Sequence, residues 1–344
     1  MATTTVDYAG QVLTDVREQI AADDDVLKEA RARRNLVTKH ARDFDGALKS
    51  FNSGSVAHGT VNKPVSDADA GIVLDRRKYP ELGPDGDDEP PNGIVDDVAE
   101  YVIERVSDDY PDAMKEITKR AILFEFHEPF ESGEDPSVDL VVALTRAEGD
   151  GRWIPNTEAE DWDASDPEEH TRLLTDLDRS PRVHRARVVR LGKAAVKQDE
   201  TPVVSSFNIE ALALEHVECE GTIAESLRDL FLLGADSLEE GLTEDPAEVS
   251  DPIKLPDGIS RDRAAARLRE FGEAVAKAVE ADSLATAEDA LRSVFPDYID
   301  SGVGARTLGD ALRNKRKREA AAAFAIGAAE PELKPTRSFG DAAR

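Results

Sequence analysis

Three acidic side chains in two strand-like segments are the residues best suited to chemistry in this chain. Asp67 and Asp69 are separated by one residue and lead into the apolar run 72–74. Side chains of an extended strand point to the same face at every second residue, so both carboxylates are expected to face one hard cation. Asp139, within the apolar segment 136–144, supplies a third carboxylate. Three carboxylates can hold two cations, roughly 3.5–4 Å apart, which neutralise the attacking and leaving oxygens in phosphoryl transfer.

A small-residue turn precedes the acidic pair. Gly54 and Ser55 follow one strand-like stretch and open a helix-length gap before Asp67. Such a turn offers backbone N–H groups, the positive end of a helix dipole and a hydroxyl, with no large side chain in the way. We therefore predict that the turn holds phosphates beside the metal pair.

The acidic pair alone is weak support for a site. The chain has 72 acidic residues among 344, so roughly fifteen acid-x-acid triplets arise by chance in such a composition. A solvated acidic face is therefore the alternative interpretation. The order of the features favours a site. Gly-Ser follows a strand, a helix-length gap separates it from Asp-x-Asp on a second strand, and Asp139 lies on a later strand.

The N-terminal segment is predicted to be helical. Apolar residues recur near a 3.6-residue period over 6–49, and an acidic run divides the segment into two helices. We expect both to pack as support on the catalytic domain. Arg33, Arg34 and Lys39 are expected on a solvent-exposed face of the second helix, with contact to a ligand as the alternative.

The middle of the chain supplies the rest of the catalytic domain. The segment 82–92 is rich in Pro, Gly and Asp and is predicted to be a loop, whereas 93–107 has the pattern of an amphipathic helix. The segment 121–127 is predicted to be a strand that pairs with the strand of Asp139. Residues 148–166 are predicted to be an irregular connection between domains.

The second half of the chain is predicted to be helical. Asp166 before Pro167 is a plausible N-cap, and Ser205 and Ser206 form a natural N-cap pair for a later helix. The predicted helices cover 168–178, 182–197, 207–217, 224–241, 261–282 and 285–295.

The segment 53–75, SGSVAHGTVNKPVSDADAGIVLD, resembles the catalytic signature of polymerase-β-type nucleotidyltransferases. More narrowly, it resembles the cGAS/DncV-like nucleotidyltransferases of bacterial and archaeal antiphage signalling. The likeness continues through VDLVVAL, IPNTEAEDWDASDPEEH, RVVRLGKAAVK and SSFNIEAL, and spans about 54–300.

This resemblance implies an α/β catalytic domain with a mixed sheet, followed by an all-helical domain, with the nucleotides in the cleft between them. The expected division is N-terminal helical support in 1–50, the catalytic domain in 51–150, the helical domain in 151–300 and a tail in 301–344.

The resemblance also implies an enzyme that joins NTPs, with ATP as the expected substrate, and uses two Mg²⁺ or Mn²⁺ ions. Asp67 and Asp69 would bind both ions. Asp139 would bind the catalytic ion and help to deprotonate the attacking ribose hydroxyl. Gly54 and Ser55 would hold the β- and γ-phosphates.

Two further residues match the family positions that reach the triphosphate. These are Lys193 and Ser206, for which a surface lysine and a simple helix cap are the alternatives. The product implied by the family is a cyclic or short linear oligonucleotide messenger that activates a separate effector.

The composition limits the partners. A net charge of −29 indicates a halophile's cytosolic protein or, alternatively, a protein that repels nucleic acid. Stable duplex binding is not expected, since it relies on Lys and Arg at the phosphates. The segment 313–318 is taken as the single basic cluster. Cys219 is the only cysteine, no apolar run is long enough to span a membrane and no signal peptide is evident, so we expect a cytoplasmic protein.

Two other functions stay open. An enzyme that tails tRNA or other RNA would share the three carboxylates, but it needs a basic RNA track. A non-catalytic nucleotide-binding module would keep the fold, but it would have no need of Asp67, Asp69 and Asp139 together.

Overall fold

The computed structural model describes residues 6–299 of the protein. The tail 301–344 and the basic cluster 313–318 lie outside the described residues. The described chain forms a mixed sheet in the order β1-β2-β5-β4-β3, with β6 paired to β5 and β7 paired to β6. The strands are β1 Ala47–Ser53, β2 Asp67–Leu74, β3 Met114–Ile117, β4 Ile122–Glu125, β5 Ser137–Thr145, β6 Arg152–Asn156 and β7 Asp161–Ser165.

Helices flank this sheet and form the second half of the described chain. Within residues 6–299, no helix is long and apolar enough to cross a membrane. The helices are α1 Tyr8–Gln19, α2 Asp24–Arg42, α3 Gly54–His58, α4 Asn92–Val106, α5 Pro167–Thr175, α6 Arg179–Val196, α7 Ser206–His216, α8 Ile223–Glu240, α9 Arg261–Val279 and α10 Leu284–Leu291.

Strands β2 and β5 form the centre of the sheet and run parallel. Both faces are covered, which explains why the two strands read as nearly continuous apolar runs. Ile72 and Leu74 pack into the core formed with α2 and α4, whereas Val73 and Val141 pack into a smaller cluster on the opposite face. The predicted α/β catalytic fold with a mixed sheet, followed by helices, is confirmed.

The prediction of an irregular connection over 148–166 is wrong. This segment contains the hairpin β6–β7, so the sheet continues to Ser165. Pro155 and the nearby glycines are more typical of a loop than of a hairpin. Pro155 is accommodated because it pairs only with β7, whereas the pairing of β6 with β5 ends at Trp153.

The two N-terminal helices also pack differently from each other. Helix α2 packs on the sheet, as predicted. Helix α1 instead buries Val12, Leu13 and Val16 in the core of the helical domain, against residues of α6, α8 and α9. The apolar stripe predicted the buried face of α1, but a stripe does not specify which core covers it.

Arg33 is buried rather than solvent-exposed, with only 1% of its surface accessible. Its guanidinium donates to the carbonyl oxygens of Glu128 and Pro136, each at 2.9 Å, and pairs with Asp135. It also lies over the ring of Phe126, 4.7 Å from the centroid. One arginine of α2 thus fixes the loop that leads into β5 and Asp139.

We expect Arg33→Ala to lower the free energy of unfolding by about 3–5 kcal/mol, because it leaves two carbonyl oxygens and the half-buried Asp135 carboxylate without their donor. Urea unfolding at neutral pH measures the change. Arg31→Ala, on an exposed position of the same helix, is the matched control and should stay within about 0.5 kcal/mol of the parent. Equal losses in both variants would contradict an anchoring role for Arg33.

Candidate active site

The parallel register of β2 and β5 brings the three predicted carboxylates together. Asp69 is the direct register partner of Asp139, and Asp67 lies two residues earlier on the same face of β2. Oxygen atoms of the three side chains all lie within 4.8 Å of one another. A parallel ladder aligns equivalent positions of neighbouring strands, so two distant segments contribute to one cluster.

Burial makes this cluster electrostatically unfavourable in the absence of a cation. Asp69 is 1% exposed, and neither of its carboxylate oxygens has a hydrogen-bond partner. Burial, followed by the charges of Asp67 and Asp139, raises the pKa of Asp69 well above its ordinary value. Burial also raises the pKa of Asp67. Like charges in a poorly solvated site oppose ionisation of one another.

These residues fit a divalent metal ion. Oxygen ligands without protein donors, in a cluster with excess negative charge, are what Mg²⁺ and Mn²⁺ bind in proteins. The buried oxygens of Asp69 supply that environment, and Asp67 and Asp139 supply further oxygens within reach. The donor set therefore agrees with the predicted metal site.

Gly54 allows the phosphate turn to approach this cluster. Its φ is +68°, and a Cβ atom added there would lie 1.7 Å from an oxygen of Asp69. Only glycine satisfies both the backbone conformation and the close approach. Helix α3 begins at Gly54 and continues through Ser55, so the predicted Gly-Ser turn does open a helix beside Asp69.

A pocket next to the cluster contains the other predicted site residues. It is lined by Gly54, Ser55, Asp67, Lys193 and Ser206, together with Thr60, Asn62, Lys197, Phe207 and Glu210 among others. Residues from the catalytic domain and from helices α6 and α7 therefore meet at one pocket, as expected for a cleft between two domains.

Ser206 is not a simple helix cap, and Lys193 is not a surface lysine. Ser206 begins α7, but the capping hydrogen bond comes from Ser205, whose hydroxyl accepts from the Asn208 amide at 3.1 Å. Ser206 is therefore not the cap. Lys193 is 5% exposed and hence not a surface lysine.

The ammonium group of Lys193 belongs to a buried polar network. It donates to Glu210 Oε1 at 2.6 Å and to the Thr60 hydroxyl at 3.1 Å. The other oxygen of Glu210 lies 3.1 Å from His58 Nδ1, and His58 Nε2 lies 3.1 Å from the Thr171 hydroxyl. This network connects α3 and the segment after it to α5, α6 and α7.

Glu210 is ionised at the centre of that network. Burial opposes its ionisation, but the neighbouring Lys193 and His58 outweigh this effect and lower the pKa of the Glu210 carboxyl far below its ordinary value. The sequence contained a signal for this residue, because a single acid interrupts the apolar run of α7. Acids are common throughout this chain, however, so the pattern alone does not distinguish Glu210 from a surface acid.

Two more cations near the site were not predicted. Lys197 lies one turn after Lys193 and lines the same pocket; surrounding protein and the charge of Lys193 lower its pKa. Arg34, expected in solvent, is 7% exposed. Burial and Arg31 lower the pKa of Arg34, while Asp69 acts in the opposite direction. A buried cation thus lies within electrostatic range of Asp69.

Comparison with known proteins identifies the fold. No protein-family model matches the chain, and a search of curated proteins found no match. Solved structures do match: the fold is that of the cGAS/DncV-like nucleotidyltransferases, the CD-NTases. CdnC from E. coli MS115-1, solved with ATP, has a TM-score of 0.63 and 19% identity, and the match covers 86% of this chain and 100% of that chain.

Two other CD-NTases align over similar lengths. CdnG from Bradyrhizobium diazoefficiens, solved with GTP, has a TM-score of 0.63 and 14% identity, covering 85% of this chain and 96% of that chain. The DncV cyclic AMP-GMP synthase from Vibrio cholerae, solved with the linear intermediate pppA(3′,5′)pG, has a TM-score of 0.53 and 16% identity, covering 86% of each chain. Likeness at these identities establishes the shared fold.

We expect Asp69→Asn to abolish stabilisation by metal without weakening the fold. A carboxyl whose pKa is higher in the folded state loses stability as the pH rises through that pKa, so a neutral amide should keep or raise the melting temperature in EDTA at pH 7.5. Addition of Mg²⁺ or Mn²⁺ should raise the melting temperature of the parent only. Equal metal-induced shifts in both proteins would contradict the metal assignment.

We expect Glu210→Gln to lower the free energy of unfolding at neutral pH by about 3–5 kcal/mol, because it leaves the Lys193 charge buried without its partner. The Lys193→Met/Glu210→Leu double variant removes both charges and should lose less. Urea unfolding compares the two variants. If the double variant lost as much as the single variant, the ion pair would not be what joins the two domains.

Proposed function

We propose that this protein is a metal-dependent nucleotidyltransferase that joins NTPs into a cyclic or short linear oligonucleotide second messenger for antiphage defence. The observation that carries the proposal is the cluster of Asp67, Asp69 and Asp139 beside the pocket lined by Gly54 and Ser55. The fold shared with CdnC, CdnG and DncV supports it, since those proteins were solved with ATP, GTP or a linear dinucleotide intermediate. In this proposal the messenger activates a separate effector.

The reaction is a nucleotidyl transfer. A ribose hydroxyl oxygen of one nucleotide attacks the α-phosphorus of an NTP, a new phosphodiester bond forms, and the bond to pyrophosphate breaks. Asp139 accepts the proton of the attacking hydroxyl, a role that suits a carboxylate beside two others. Two divalent ions held by Asp67, Asp69 and Asp139 would neutralise the attacking and leaving oxygens when bound.

The pocket residues bind and orient the triphosphate. Gly54 leaves room for phosphate oxygens next to α3, and the Ser55 hydroxyl donates to them. Lys193 and Lys197 supply positive charge on the opposite wall, and Ser206 adds a hydroxyl. Because Glu210 and Thr60 already hold the Lys193 ammonium, this lysine acts at the triphosphate from a fixed position. Fixed donors cost less reorganisation when the reaction begins.

We expect purified protein to convert NTPs alone, with Mg²⁺ or Mn²⁺ in high salt, into small products resistant to phosphatase if cyclic. Labelled NTPs and mass spectrometry measure the products. Asp69→Asn should abolish formation of products because it removes a metal ligand, whereas Asp75→Asn, at a half-buried carboxylate that follows β2 and pairs with Arg77, should not.

The controls separate the two other functions. Label that appears only in added RNA or tRNA would identify a tailing enzyme instead. Binding of NTPs by a correctly folded protein without turnover, under every metal and salt condition, would identify a non-catalytic module.

A further inference from the structure

Helix α6 has an unusual charge for this protein. The chain contains 72 acidic residues against 43 lysines and arginines, yet α6 contains no acidic residue at all. The negative net charge of the whole chain does not reveal this local excess of positive charge. The segment 313–318 is therefore not the single basic cluster. The arginines of the helix are Arg179, Arg182, Arg185, Arg187 and Arg190.

These arginines have no ion-pair partner among residues 6–299. Arginines elsewhere in the described chain commonly pair with carboxylates; Arg267 pairs with Asp199, and Arg269 with Asp236 and Glu239, for example. Surface acids are abundant, so composition does not explain why none of them forms a described ion pair with the arginines of α6.

Arg17 of α1 extends the same surface. Arg17, His184 and Arg187 line one cavity, together with Asp7 and Asp15, which form no described ion pair with them. Burial and the charge of Arg187 lower the pKa of Arg17, although Glu18 opposes this effect.

Arg190 is affected in the same way. Burial, followed by the charges of Arg17 and Arg187, lowers its pKa. Like charges are therefore held close together at a cost in free energy. A bound anion would offset that cost. Arg190 is half-buried, and its guanidinium donates to Asn62 Oδ1 at 3.0 Å and to the Ile20 carbonyl at 3.4 Å. We therefore define the arginine surface as Arg17, Arg179, Arg182 and Arg187.

The extent of the surface indicates the kind of anion. Helix α6 has 18 residues and is therefore about 27 Å long, more than one phosphate group can cover. Arg179 and Arg182 are exposed at its start, whereas Lys193 and Lys197 line the nucleotide pocket at its other end. A row of guanidinium groups suits a chain of phosphates, since each fork can bind phosphate oxygens in a bidentate manner.

We infer that the arginine surface binds single-stranded nucleic acid through its phosphodiester backbone. Acids limit the width of the surface, since Asp15 lines the cavity of Arg17 and Arg187, Glu18 follows Arg17 and Asp178 precedes Arg179. It therefore suits a single strand rather than a duplex, whose second strand would meet those acids. The inference stands independently of the proposed synthesis of a messenger, because binding requires no turnover.

The test compares two triple variants that remove the same charge. Arg179→Gln/Arg182→Gln/Arg187→Gln changes exposed arginines of the surface, and Arg42→Gln/Arg261→Gln/Arg263→Gln changes exposed arginines elsewhere. Fluorescence anisotropy with short labelled oligo(A) RNA and oligo(dA) DNA, without NTP or metal, gives affinity at several KCl concentrations. Circular dichroism verifies that both variants are folded.

The parent and the control variant should bind alike, within about twofold. The surface variant should bind at least about tenfold more weakly at low salt, and the slope of log affinity against log salt should fall by about 2, since each single-strand phosphate contact contributes about 0.7. Equal binding of RNA and DNA supports recognition of the backbone alone, and stronger binding of RNA identifies RNA as the source.

Three outcomes would overturn the inference. The first is absence of salt-dependent binding by the parent protein. The second is an equal loss of affinity in the control variant, which would show a response to net charge alone. The third is tighter binding of a polyglutamate peptide than of either oligonucleotide, lost in the surface variant, which would assign the surface to an acidic polypeptide.

Discussion

Mutual repulsion among three carboxylates is the constraint on which the described structure depends. The parallel pairing of β2 with β5 places Asp69 beside Asp139, and burial of Asp69 limits the screening of its charge by water. A protein can keep such a cluster only if the surrounding fold holds the strands in place and leaves the oxygens for a cation. The absence of donors around Asp69 and the absence of a side chain at Gly54 meet that requirement together.

The second constraint is the joining of the two domains at the pocket. Glu210 contributes both carboxylate oxygens to side chains from different segments of the chain, and its low pKa keeps it charged throughout the physiological range. A buried ion pair adds little net stability relative to apolar packing, but it tolerates few alternative arrangements. The geometry of the Lys193 wall relative to α3 is therefore defined by direction-dependent hydrogen bonds rather than by adaptable apolar contact.

Much of this arrangement could be predicted from local patterns, and the rest could not for identifiable reasons. The spacing of Asp67 and Asp69 on β2, the Gly-Ser turn and the Asp166 cap are properties of neighbouring residues, so they can be recognised in the sequence. The hairpin β6–β7 was missed because Pro155 and its glycines resemble a loop. Arg33 was assigned to solvent because its partners lie about a hundred residues away, where no periodicity reports them.

The packing of α1 has a consequence for synthesis on the ribosome. This helix is translated before the strands of the sheet, yet its apolar face packs against α6, α8 and α9, which are translated after them. Synthesis proceeds at about 5–20 residues per second, so the apolar face of α1 remains exposed for many seconds before the helices that bury it are made. The core of the helical domain can therefore close only after nearly the whole described chain has been made, and a cut between the two domains would separate α1 from the helices that bury it.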